Sequence, residues 1–237
     1  NHGSCRTEVL FCPTWRKIFE FEHWQSSHKP DESALASFQQ SKYYRSIAAI
    51  LSSPTLIDLL KSEEITIVVK LHFRLMPYLK AFSQLENPHV VIATPEIDPR
   101  PISRMLEDAV MLITDYSSIM WDMAYMGKPV ICFQHDKASI LGERYREQYD
   151  ISDLELPFRF CHTAEELLGS LHACINSDFQ LLSTELSARD RFLPIRDKDN
   201  CQRALRAIQN NTGILVDRHN MSNGKSEEEC REATSIT

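Results

Sequence analysis

The sequence predicts an α/β fold built on a doubly wound parallel sheet, and three observations carry that reading. Strand-length apolar runs alternate with helix-like segments along most of the chain. About six such runs occur, and several are continuously apolar, as strands are when both faces of a parallel sheet are covered. Polar and cationic residues stand just past the ends of the runs, where sheets of this kind hold ligands.

Taken in order, "EVLFCPTW" (8–15) reads as the first strand, ended by a Pro-Thr turn. Residues 20–33 are a polar loop. From Ser33 to Leu51 the apolar positions Leu35, Phe38, Ile47 and Leu51 predict one helix, broken at "SSPT", where Pro54 opens another. "ITIVVKLH" (65–72) is a β-branched strand, "LMPYLKAFSQL" a helix and "HVVIAT" (89–94) a third strand. After a Pro-rich link come the helix "ISRMLEDA", the strand "VMLIT" and the helix "SSIMWDMAYM". Gly127 suits that helix's C-terminal cap, and "PVICF" is the next strand. "FRFCHTAEELLGSLHACI" supplies a strand and a helix whose Thr163 and Glu166 have capping-box spacing. "DNCQRALRAIQN" is the last helix, and residues from 211 onward are polar, as disordered tails are. "NGKS" within them lacks the glycine spacing of a phosphate loop.

The formal net charge of −7 argues against a nucleic-acid partner. No apolar run approaches the ~20 residues that span a bilayer, and no signal-peptide pattern opens the chain. Seven cysteines without a C-x-x-C pair read as reduced thiols of a cytoplasmic protein rather than a disulfide frame or zinc site.

Chemistry gathers at three strand ends. After the 110–114 strand come Thr114, Asp115, Tyr116, Ser117 and Ser118. A helix start has unpaired N–H groups and partial positive charge, so it can hold a phosphate, and Ser117 and Ser118 add hydroxyl donors. The plainer reading is that Asp115 or Ser117 only caps the helix. Lys70 and His72 end the 65–72 strand, Arg74 follows shortly after, and the three suit a multiply charged phosphate substrate, unless they are merely solvated and packed. Thr14 and Arg16 end the first strand, beside Trp15, which reads as core. In a parallel sheet the three ends share one edge, and their common denominator is a diphosphate-bearing ligand. Asp136 and Glu143, past the next strand, face either a sugar hydroxyl or water.

"PTWR", "VVKLH", "LITDYSSIMWDMAYMGKPVICFQHD" and "YREQYD", in that order, resemble the CDP-glycerol glycerophosphotransferase family, which includes teichoic acid primases and polymerases. The resemblance spans about residues 8–205. It implies the Rossmann-like donor-binding half of a GT-B enzyme over residues 8–210. Residues 1–7 would then be linker from an N-terminal acceptor half, and 211–237 a tail. It implies Ser117 and Ser118 as the donor phosphate cradle and Asp115 as a residue that orients the turn or touches substrate. His72 becomes an active-site residue, Ile97 and Asp98 line the nucleotide loop, and Arg16 is a further phosphate ligand. Two departures stand out: Phe73 follows the motif histidine where many members have Pro, and "DLELPFRF" replaces an Asp-Gly-Phe-Gly segment.

The implied reaction is transfer of a polyol phosphate from a CDP-alditol donor to a hydroxyl of a lipid-linked or polymer acceptor, with His72 a base or a phosphate ligand. The resemblance also implies a place at the inner face of the cell membrane. No cofactor beyond the donor is expected, and no metal, since Asp-x-Asp spacing is missing from this edge. The rival readings are a GT-B glycosyltransferase using a nucleotide sugar and a non-catalytic nucleotide-binding module.

Overall fold

The computed structural model describes residues 7–19, 30–138 and 155–212. Six parallel strands form one sheet: β1 (Thr7–Cys12), β2 (Ile65–Val69), β3 (Val90–Ile92), β4 (Met111–Thr114), β5 (Val130–Phe133) and β6 (Arg159–Cys161). Their order across the sheet is β3-β2-β1-β4-β5-β6. This is the doubly wound Rossmann order.

Side chains alternate between two buried layers, which is why the strands read as unbroken apolar runs. Val9, Phe11, Ile67, Val69, Ile113, Ile131 and Phe133 enter one layer. Leu10, Cys12, Val68, Leu112, Val130 and Cys132 enter the other. Helices α1 (Glu32–Gln40), α2 (Lys42–Leu51), α3 (Pro54–Ser62) and α7 (Ala164–Asn176) contribute to the first layer. Helices α5 (Ile102–Asp108) and α6 (Ile119–Tyr125) contribute to the second.

Several local expectations need correction. The single helix expected from Ser33 to Leu51 is two, α1 and α2. Ser41 divides them: its hydroxyl donates to the Phe38 carbonyl (2.6 Å) and accepts from the Tyr44 N–H (3.2 Å), so it caps the second helix. "LMPYLKAFSQL" forms a 3₁₀ turn (Phe73–Tyr78), a four-residue helix α4 (Leu79–Phe82) and another 3₁₀ turn (Ser83–Leu85), because Pro77 cannot sustain a regular helix. The first strand stops at Cys12, before the donor-less Pro13. A helix that sequence periodicity does not signal, α8 (Ser183–Phe192), is anchored by Arg159, whose Nε lies 2.6 Å from Glu185 in a mostly buried pair.

Capping explains the remaining ends. Thr163 Oγ1 accepts the Glu166 N–H at 3.2 Å, while Glu166 returns to the His162 N–H, one residue before the cap (2.6 Å). Lys128 donates from Nζ to the carbonyls of Leu106, Glu107 and Ala109 at 2.5–2.9 Å, closing the C-terminus of α5. The described residues up to Pro194 form one compact unit, and those from Ile195 to Thr212 belong to a second, which holds helix α9 (Asn200–Thr212). Among the described residues Cys12, Cys132, Cys161, Cys174 and Cys201 form no disulfide. Among the described residues no helix is long and apolar enough to cross a membrane. The loop expected at 20–33 is described only from residue 30, and of the tail at 211–237 only residues 211 and 212 are described.

Gly127, past the end of α6, has φ of +77°, a left-handed conformation that glycine adopts without strain. A Cβ there would also stand 3.1 Å from Arg189 Nη1. Gly127→Ala is expected to lower stability by about 1–2 kcal/mol, and Gly127→Asn by less, read from urea unfolding midpoints.

Candidate functional site

Strands β1 and β4 lie side by side at the centre, with Cys12 opposite Thr114. From β1 the chain runs outward to β2 and β3 on one side, and from β4 to β5 and β6 on the other. The crevice outside their carboxyl ends is the topological switch point, where open α/β sheets bind ligands. Two segments meet there: Pro13 to Arg16 after β1, and Asp115 to Ser118 after β4.

They are bonded to each other. The Thr114 hydroxyl donates to the Cys12 carbonyl at 2.7 Å. Asp115 turns back onto β1: its Oδ1 accepts the N–H groups of Thr14 (2.9 Å) and Tyr116 (2.7 Å), and its Oδ2 accepts Arg16 Nη2 (2.8 Å). Arg16 also donates from Nε and Nη2 to both oxygens of Asp136, past β5, at 2.7 and 3.1 Å. Its Nη1 donates to the Thr14 carbonyl at 2.6 Å. Only 4% of Arg16 is exposed, and its guanidinium carbon lies 4.7 Å from the Tyr43 ring centroid and 5.3 Å from that of Tyr116.

Two tyrosines complete this network. Tyr43 donates its hydroxyl to the Thr14 carbonyl (3.0 Å), and Tyr116 Oη approaches Asp136 Oδ1 at 3.5 Å. Burial first, and the neighbouring carboxylates second, hold both phenols above their ordinary pKa, so both remain protonated donors. Gln134 Nε2 approaches the Asp115 carbonyl at 3.4 Å. Thr14 Oγ1, Gln134 Oε1 and His135 Nδ1 are buried without a hydrogen-bond partner among the described residues. Burial also draws the His135 imidazole below its ordinary pKa.

The serines stand apart from this closed network. Ser118 is exposed, occupies the N-cap position of the seven-residue α6, and makes no side-chain capping bond. Asp115 does not cap that helix either, because both of its oxygens are engaged with Arg16 and with N–H groups outside it. The cap-only reading therefore fails for Asp115.

Beside β1, the end of β2 presents Lys70, His72 and Arg74. The Lys70 N–H donates to the Phe11 carbonyl (2.9 Å). Burial pushes the Cys12 thiol up to about 12 against the pull of the Lys70 charge. His72 Nδ1 accepts the Arg74 N–H at 3.3 Å. Trp15 packs against the core, as expected, but also stacks on His72 (centroids 6.1 Å apart) and lies under the Arg74 guanidinium at 4.1 Å. It thus ties the ends of β1 and β2 together.

Past β3, the Thr94 carbonyl accepts the N–H groups of Ile97 (3.1 Å) and Asp98 (2.8 Å). Ile97 is 56% exposed. Asp98 instead pairs with Arg100 at 2.6 Å, and Arg100 also binds Glu8 and Asp108. The hydrogen bonds from Arg100 hold the Asp98 carboxyl below its ordinary pKa.

Thr14, Arg16, Asp115 and Asp136 are thus one buried network, with Lys70, His72 and Arg74 alongside and the serines on the rim. Glu143 and the "YREQYD" segment lie outside the described residues. Among the described residues no group of three or more His, Cys, Asp or Glu side chains is placed to hold a metal. Tyr43 and Gln134 were not anticipated. Gln134 lies within the quoted motif, whereas Tyr43 carries no signal, because a tyrosine on an amphipathic helix reads as core.

Removing the cation alone leaves two buried carboxylates without it, so Arg16→Met is expected to cost about 3–5 kcal/mol in urea unfolding. Asp136 also yields a pH test. Burial raises its pKa, but the hydrogen bonds and charge of Arg16 more than offset this, leaving it below the ordinary value. Such a group contributes stability that is full above its unfolded pKa of about 3.9 and is lost as the pH falls through the lower folded value. Below pH ~4 the stability of Asp136→Asn should fall less steeply than that of the parent; equal slopes would count against the assignment.

The chain matches the family model described as CDP-Glycerol:Poly(glycerophosphate) glycerophosphotransferase over residues 3–210. It is 28% identical over 132 residues to the minor teichoic acid biosynthesis protein GgaB of Bacillus subtilis (strain 168), covering 55% of this chain and 14% of that protein. The structure of the wall teichoic acid polymerase TagF superposes with a TM-score of 0.53 at 19% identity, covering 89% of this chain and 45% of TagF. A putative UDP-N-acetylglucosamine 2-epimerase from Listeria monocytogenes gives a TM-score of 0.51 at 12% identity, with 89% and 46% covered. At those identities the two structures speak for the fold alone. The chain spans less than half the length of each of these three relatives. With the family model covering most of its length, the chain belongs to the CDP-glycerol:poly(glycerophosphate) glycerophosphotransferase family.

Proposed function

We propose that this chain is the donor-binding part of a CDP-alditol phosphotransferase. It transfers glycerol or ribitol phosphate from a CDP-activated donor to a hydroxyl of a lipid-linked or polymer acceptor in cell-wall or capsule polymer synthesis. An acceptor half supplies the rest of the cleft, working peripherally at the inner face of the membrane. Family membership supports the reaction class. The observation that carries the site is the Asp115-clamped turn at the switch point, which leaves the exposed Ser118 hydroxyl uncommitted to its own helix.

In the reaction the acceptor oxygen attacks the distal phosphorus of the donor. The bond from that phosphorus to the bridging oxygen breaks, and CMP departs with the electron pair. Negative charge grows on the phosphate oxygens and on the leaving group, so catalysis rests on positioning and on donors aimed at that charge. Ser117 and Ser118 supply hydroxyl donors, and Lys70 and Arg74 supply cations.

His72 is the candidate catalytic residue, and its hydrogen bond favours one of its two roles. Nδ1 accepts from the Arg74 N–H, so the neutral ring carries its proton on Nε2. Such an imidazole donates to a phosphate oxygen, and the base that takes the acceptor proton is a different group. Ile97 borders the nucleotide as an exposed apolar contact, and Asp98 orders that loop through Arg100.

Calorimetric titration of the chain with CDP-glycerol, CDP-ribitol and a UDP-sugar tests the reading. A CDP-alditol should bind more tightly than the UDP-sugar. A hydrogen bond to a charged group is worth ~1.5–3 kcal/mol, so Ser118→Ala should weaken binding about tenfold or more. His72→Gln, which keeps an N–H donor, should retain more affinity than His72→Ala. A folded chain that binds none of the three ligands sinks the proposal, and preference for the UDP-sugar transfers it to nucleotide-sugar chemistry.

A further inference from the structure

We propose that Arg16 is a positioning residue: it holds the Tyr116–Ser118 turn in its donor-binding shape through Asp115 and does not itself touch the donor. This rests on the donor reading of that turn.

Four of the five guanidinium N–H groups are engaged. Nε and Nη2 hold both oxygens of Asp136, Nη2 also holds Asp115, and Nη1 holds the Thr14 carbonyl. A phosphate oxygen would have to reach past two tyrosine rings to a group that is 4% exposed. The charge balance points the same way. One guanidinium between two carboxylates leaves a surplus of negative charge, which repels a diphosphate. This cluster therefore does not attract the donor. What it does is geometric. Arg16 fixes Oδ2 of Asp115, and Oδ1 of the same carboxylate fixes the N–H groups of Thr14 and Tyr116. Ser117 and Ser118 are the next two residues. Asp136 anchors the guanidinium from β5, so the positions of three strand ends converge on one turn. A network of this kind is better suited to selecting one conformation than to adding stability.

The test must separate loss of the turn from loss of the fold. Arg16→Met together with Asp136→Leu removes the cation and one carboxylate at once, and leaves Asp115 its two backbone donors. Arg16→Lys keeps a cation but not the fork, and serves if the double variant does not fold. The first readout is amide hydrogen exchange on the unliganded chain. Faster exchange confined to residues 14–16 and 114–119, with β2, β3 and β6 still protected, is the expected result. An unchanged turn, or faster exchange throughout the sheet, overturns the assignment. The second readout is calorimetry with CDP-glycerol, for which the double variant should bind about tenfold more weakly or worse, equivalent to ~1.4 kcal/mol. A variant that binds as tightly as the parent overturns the assignment. A parent that binds no CDP-alditol overturns the donor reading instead, while the exchange map still decides what Arg16 does.

Discussion

Burial of both faces of the sheet is the constraint from which the rest follows. Val9 and Phe11 face one layer and Leu10 and Cys12 the other, and the same alternation runs through β2, β4 and β5. Strands sealed in this way hold few unpaired polar groups along their length, the Thr66 hydroxyl in β2 being one. The chain's polar groups in this region are therefore displaced to the strand ends. At the carboxyl edge, the order β3-β2-β1-β4-β5-β6 opens a crevice between the two central strands. Fold and site are thus one arrangement, because the packing that hides the strands also decides where hydrogen-bonding groups can gather.

Within that crevice there is a division between what is buried and what is presented. The buried part spends its charge internally: Arg16 against Asp115 and Asp136, with Tyr43 and Tyr116 on its flanks. The presented part is lighter in charge, consisting of serine hydroxyls on one side and the Trp15-stacked His72 and Arg74 on the other. A charged pair at a strand end is an ambiguous sign, because the same residue types serve as ligands or as struts. Only the partner distances separate the two uses.

This ambiguity marks how far the sequence could be read. The α/β class, the strand positions and the edge where the polar residues gather were legible, because β-branched runs such as "ITIVV" and turn residues such as Pro13 act through local rules. Gly127 was legible for the same reason. The break at Ser41 was not, because a serine mid-pattern reads as a tolerated helix residue until its hydroxyl is seen bonded to both turns. Helix α8 was missed because its buried positions are Glu185 and Arg189, not an apolar stripe. At the strand ends, the residues could be named but not which of them would meet. Arg16 and its carboxylates stand about a hundred positions apart in the chain, and no spacing rule reports which carboxylate a distant arginine will meet.

Lys128 belongs to the same motif as the serines, yet it works at the other end of the strands. Its ammonium gathers the last carbonyls of α5, ahead of β4, from a position just before β5 begins. A four-residue strand rises only ~13 Å, so the stitch and the Asp115 turn are separated by little more than the length of β4. The two ends of that strand therefore have opposite mechanical characters. The entry end is sewn to its neighbour by a cation bonded to three carbonyls, which frees the exit end to carry groups that face outward.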